Sequence, residues 1–167
     1  MSKKRTGFFL IELGIGILIL IFMAFLILPR LTFMQKAHTS AELERLYTFC
    51  SYIQARAIAT NKELTIVLDD SNHQIRFDAS NLTLPSTVRF GTPPNTYGPP
   101  SQPTKLINRA ITFVEQKIVF YPDGTISAGA FYLTNQDQSC LYALTVPIGY
   151  NSCLRKYRYD TSWIQLP

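Results

Sequence analysis

Residues 3–30, KKRTGFFLIELGIGILILIFMAFLILPR, open the chain with a basic tip and then run apolar to Pro29 with one acid, Glu12, inside the run. Roughly twenty apolar residues in a helix rising ~1.5 Å per residue are enough to cross a bilayer. Lys3, Lys4 and Arg5 hold the amino terminus in the cytoplasm, so everything after Pro29 is expected on the far side of the membrane. A carboxylate inside such a run is costly, so Glu12 needs a partner or a function. A secretory signal peptide places small cleavage-site residues after its apolar segment, whereas Leu28-Pro29-Arg30-Leu31-Thr32-Phe33 follows here. An ordinary single-pass anchor accounts for the hydrophobicity but leaves Gly7 and Glu12 without a reason.

Gly14, Gly16 and Pro29 are weak points of this helix, because Gly raises the entropic cost and Pro removes a hydrogen bond. Beyond Arg30 the pattern turns amphipathic. Leu43, Leu46, Tyr47, Cys50, Ile53 and Ala57 recur at three and four, which is one face of a helix. Thr39 and Glu42 have capping-box spacing and leave room for a local break near residues 38–40, although a continuous helix ending near Thr60-Asn61 is expected. After Asn61 the period changes to two, with strands expected at 64–68, 74–77, 87–90, 110–113, 117–121, 126–134, 141–146 and 154–159. One long helix followed only by strands predicts an α+β fold, the helix laid on one or two antiparallel sheets, and argues against a βαβ enzyme. Residues 92–104, TPPNTYGPPSQPT, hold five of the ten prolines and are expected as an exposed loop.

The 167 residues leave one compact domain beyond the membrane segment. Loss of the cations Lys3, Lys4 and Arg5 takes the net charge from +5 to +2, which does not by itself imply nucleic acid. Cys140 and Cys153 frame a hairpin-sized segment and are expected to pair in an oxidising compartment, contributing about 3 kcal/mol in the chain-entropy account. Cys50, on the helical face, is expected as a buried free thiol. No cysteine–histidine cluster has metal spacing, so no metal and no cofactor is expected. His38 and His73 are isolated and Asp69-Asp70 reads as a solvated turn, so no catalytic set emerges and the chain is not expected to be an enzyme.

Gly7-Phe8-Phe9-Leu10-Ile11-Glu12 resembles the processing site of type IV prepilins and pseudopilins. The resemblance implies a pilin-like fold, a leader at 1–7, cleavage between Gly7 and Phe8 by a prepilin peptidase, and N-methylation of Phe8. It divides the rest into a transmembrane half-helix at 8–28, a periplasmic amphipathic half at 29–61 and a β-rich domain at 62–167. Pro29 matches a proline at which many pilin helices bend. Glu12, the fifth mature residue, is implied to meet the Phe8 amine of a neighbouring subunit. Phe120-Tyr121-Pro122-Asp123-Gly124, followed by Ala128-Gly129, resembles a turn of the GspH/FimT group, the minor subunits of type II secretion pseudopili and type IV pili. The implied function is that of a minor pseudopilin of type II secretion, in the bacterial inner membrane and in a filament with other pseudopilins. A type IV minor pilin serving adhesion, motility or DNA uptake, or a membrane-anchored binding or enzymatic domain, are the alternatives. In the strand at 154–159, Lys156 and Arg158 share one face, and Arg155 shares the other with Tyr157 and Tyr159. This places Arg155, Lys156 and Arg158 as candidate DNA contacts, against the plainer reading of an edge strand protected by charge.

Overall fold

The computed structural model describes residues 5–98, 105–148 and 153–167, and of these the side chains outside 5–10 and 24–33. The chain divides into two compact units, Met1–Gln35 and Lys36–Pro167. Helix α1 (Arg5–Thr60) runs for 56 residues, through Gly14, Gly16, Pro29 and residues 38–40.

In the first unit, the large apolar residues described at positions 11–23 are each 50–69% exposed. Among the described residues no helix is long and apolar enough to cross a membrane. The side chains of the flanking parts of the expected span, 8–10 and 24–28, and the whole of residues 1–4 lie outside what is described.

In the second unit, α1 ends in a Schellman motif. Lys62 N–H donates to Ala57 O and Asn61 N–H to Ile58 O, both at 3.2 Å, with Asn61 left-handed at φ 49°. Two antiparallel sheets follow. The first, ordered β3-β2-β1-β5, contains β1 (Leu64–Asp69), β2 (Gln74–Phe77), β3 (Ser80–Thr83) and β5 (Lys117–Phe120). The second, ordered β4-β6-β7-β8-β9, contains β4 (Val88–Phe90), β6 (Gly129–Asn135), β7 (Leu141–Val146), β8 (Arg155–Tyr159) and β9 (Trp163–Gln165). The expected helical stripe is the core: Leu43, Leu46, Cys50, Ile53 and Ala57 are buried against Ile66, Phe120, Phe131 and Leu144 from both sheets.

Several expected strands differ in extent, each for a local reason. Residue Ile126 bridges Phe120 in the first sheet and Ser127 N–H donates to Val119 O, while β6 of the second sheet starts only at Gly129. The segment expected as one strand at 126–134 therefore crosses between sheets. Residues 110–113 form an isolated bridge, Ile111 to Phe131, on the edge of β6 that β4 occupies further along. Strand β6 is buried on both faces. Phe131 and Leu133 face the helix, while Ala130 and Tyr132 join Leu141, Ala143 and Tyr157 in a second apolar cluster on the outer face, closed by Trp163.

Candidate functional site

Glu12 is exposed on α1, and Gly16 lies one turn further along the same face. Apart from its two chain neighbours and the local helix backbone, nothing lies within 4 Å of where a Gly16 Cβ would stand. The result is a notch beside the carboxylate, bordered by Leu13, Ile17 and Leu20, on an otherwise fully apolar helix surface. Gly14 is equally open. The side chains of Phe8 and Pro29 lie outside what is described, and of the expected cleavage point after Gly7 only the helical backbone is described.

The turn after β5 docks on the last turns of α1. Gly124 N–H donates to Tyr121 O at 3.0 Å and Tyr121 N–H to Thr125 O at 2.9 Å. Asp123 Oδ1 accepts from Thr125 N–H at 2.9 Å and from its hydroxyl at 2.7 Å, which holds the Asp123 carboxyl below the usual carboxylate range. Gln54 Nε2 then donates to Gly124 O at 2.7 Å, tying helix to turn across 70 residues of sequence. Gly124 takes φ +84°, and a Cβ there would lie 3.3 Å from Ile58 Cδ1. Phe120-Tyr121-Pro122-Asp123-Gly124 is thus a clamp between the helix and the first sheet.

The expected pairing of Cys140 with Cys153 does not form; both are free thiols. Strand β7 pairs antiparallel with β8, Leu141 opposite Tyr159 and Thr145 opposite Arg155. Cys140 precedes β7 and Cys153 precedes β8, so the two sit at opposite ends of the ladder, on the order of 20 Å apart. A disulfide needs Cα atoms within about 7 Å. Cys140 is buried, its Sγ 3.6 Å from Thr39 Oγ1, while exposed Cys153 accepts from Arg155 Nε at 3.5 Å. Cys50 is a buried free thiol as expected, and burial pushes its pKa up to about 12. Maleimide added to the folded chain is accordingly expected to label Cys153 quickly, and Cys50 and Cys140 only after unfolding. A folded protein with no reactive thiol, lighter by the two thiol hydrogens, would restore the disulfide.

The candidate DNA contacts do not act as one surface. Lys156 is turned inward: its Nζ lies 2.9 Å from both Glu44 carboxylate oxygens and 4.6 Å from the centroid of the Tyr47 ring, with only 11% of its side chain exposed. Arg158 is exposed, and Arg155 stands on the opposite face beside Tyr157. Strand β8 is also not an edge, since β7 and β9 flank it. Alternation along the strand assigns the two faces, but which one meets the helix depends on α1, where Glu44 and Tyr47 wait three residues apart. That pairing, and the buried Glu42 bridged to Arg45 at 3.1 Å, were the polar contacts that periodicity did not anticipate.

Asp69 closes its turn by accepting from Asn72 N–H at 3.0 Å and Asn72 Nδ2 at 2.9 Å, and pairs with Arg76. These bonds hold its carboxyl at about 2. His38 is exposed, and His73 is half-buried beside Phe90. Among the described residues no group of His, Cys, Asp and Glu is placed to hold a metal ion.

Residues 42–147, well over half of the chain, match the family described as type II transport protein GspH. No curated protein matches the sequence. Among solved structures, the minor pseudopilin EpsH from the type 2 secretion system of Vibrio cholerae is similar at 10% identity and a TM-score of 0.49, over 71% of this chain and 95% of that one.

Proposed function

The chain belongs to the GspH family of type II transport proteins, and from that premise we propose that it is a minor pseudopilin, a structural subunit of the periplasmic filament that drives protein export. A prepilin peptidase removes residues 1–7, and Phe8 becomes the N-methylated amino terminus. Residues 8–28 then hold the protein in the inner membrane, with 29–61 and 62–167 on the periplasmic side. On extraction into the filament, Glu12 pairs with the Phe8 amine of the neighbouring subunit. Gly14, Gly16 and Pro29 give the helix the local freedom to pack among its neighbours. The subunit's work is assembly with other pseudopilins rather than catalysis.

The observation that carries this reading is the contrast along α1. Leu43, Leu46 and Ile53 are fully buried in their own domain, whereas the described large apolar residues at 11–23 are each 50–69% exposed. A helix apolar on every side is stable only when lipid or other helices surround it. A stagger of one such helix against the next is a heterologous contact, which propagates as a filament. Mass and amino-terminal sequencing of the protein purified from its host are expected to give a start at methylated Phe8. A start at Met1 would reduce the segment to a plain anchor.

A further inference from the structure

The outer face of the second sheet carries a cleft of about 810 Å3 near the start of β6 and the end of β7. Lys105, Arg109 and Arg155 all line it, and among the described residues no carboxylate does. Among the described residues, none of these three cations is joined to an acid by an ion pair. Like charges gathered in a recess of low dielectric focus a positive potential into it, which draws in an anionic partner.

The apolar parts of the cleft decide which anion. Tyr132 and Tyr157 belong to its lining, yet they are only 1% and 9% exposed, packed with Trp163 at ring-centroid distances of 5.9 and 6.5 Å. Neither offers an open ring face, so the base stacking on which single-stranded nucleic acid binding relies has no platform here. Ile148, also in the lining, is 95% exposed and has no apolar cover. Cations beside an uncovered aliphatic side chain complement a chain that carries both carboxylates and apolar groups.

We propose that this cleft docks an acidic peptide segment of a partner protein, with its carboxylates on Lys105, Arg109 and Arg155 and an apolar side chain against Ile148. The site goes beyond the filament role and does not depend on it, because binding is measured on the unassembled chain. The test is fluorescence anisotropy of the full chain in neutral detergent with a labelled peptide of alternating Glu and Val, and with a thymidine oligonucleotide in parallel. Peptide binding that weakens with salt is expected, falling about tenfold in Lys105→Glu/Arg109→Glu and by less than about twofold in Lys62→Glu/Arg158→Glu, which carries the same charge change outside the cleft. Equal losses in the two double variants would reduce the effect to net charge. Tighter binding of the oligonucleotide would make the cleft a nucleic-acid site, and no peptide binding at low salt would remove it altogether.

Discussion

Glu12→Ala is expected to be processed normally between Gly7 and Phe8 and to be almost absent from assembled filaments. The proposed cleavage site lies several residues upstream, so removing this carboxylate leaves that bond and the basic tip in place. Assembly as proposed differs because it brings the charged amine of a processed Phe8 into an apolar bundle. A cation with no partner there costs several kcal/mol, and an opposite charge at hydrogen-bonding distance offsets that cost while fixing axial register. Glu12 suits this role: it is the single acid within the apolar run, and the open notch at Gly16 leaves space beside it for a neighbour. A loss of about 2–3 kcal/mol per contact corresponds to roughly a 30- to 150-fold fall in incorporation. Glu12→Gln keeps the shape without the charge and should fall nearly as far, whereas Glu12→Asp should retain part of it. The measurements are the mass of the membrane-held subunit, its recovery in sheared filaments and the export of folded cargo. Normal recovery of the alanine variant would separate Glu12 from assembly and leave its place inside the apolar run without a reason.

The helix of the second unit was legible because burial imposes its period on the sequence: Leu43, Leu46, Cys50, Ile53 and Ala57 fill one stripe and are all buried. Most strand positions in the sheets were legible for the same reason. Ser80–Thr83 and Trp163–Gln165 were not, since both are short outermost strands whose side chains are mostly exposed and carry no alternation. Residues 80–83 therefore carry no strand signal of their own. Cys140 and Cys153 show a different failure. Spacing in sequence measures how long a loop is, and only the ladder register tells which ends of it meet. Lys156 is a third case, because its partner Glu44 lies 112 residues away and no local pattern connects them. The cationic cleft escaped notice similarly: Lys105 and Arg109 sit in an irregular segment and reach Arg155 only through the fold.

Gly129→Ala is expected to lower the melting temperature of the domain by at least as much as Gly124→Ala, and for a different reason, although both glycines belong to the same motif region. Gly124 needs its freedom because φ is +84°, and an alanine there costs about 1–2 kcal/mol of backbone strain. The nearby Ile58 side chain is 51% exposed and can swing aside. Gly129 has no positive φ to protect. Its constraint is Phe113, whose ring packs against the start of β6, so that a Cβ would stand 2.6 Å from Cγ and 2.8 Å from Cε1. Phe113 is only 4% exposed and sits in the main core, so the ring has nowhere to go without displacing its neighbours. Overpacking of this kind costs about 1–3 kcal/mol and occasionally more. For a unit of this size that is a fall of roughly 5–15 °C. Thermal unfolding of the full chain in detergent, followed by near-ultraviolet circular dichroism, provides the readout. A double-mutant cycle isolates the cause: Phe113→Leu is destabilising alone, but in the Gly129→Ala background it should cost far less, because the smaller side chain vacates the space that the new Cβ needs. Strict additivity of the two substitutions, or an unchanged melting temperature for Gly129→Ala, would show that the ring does not hold this glycine in place.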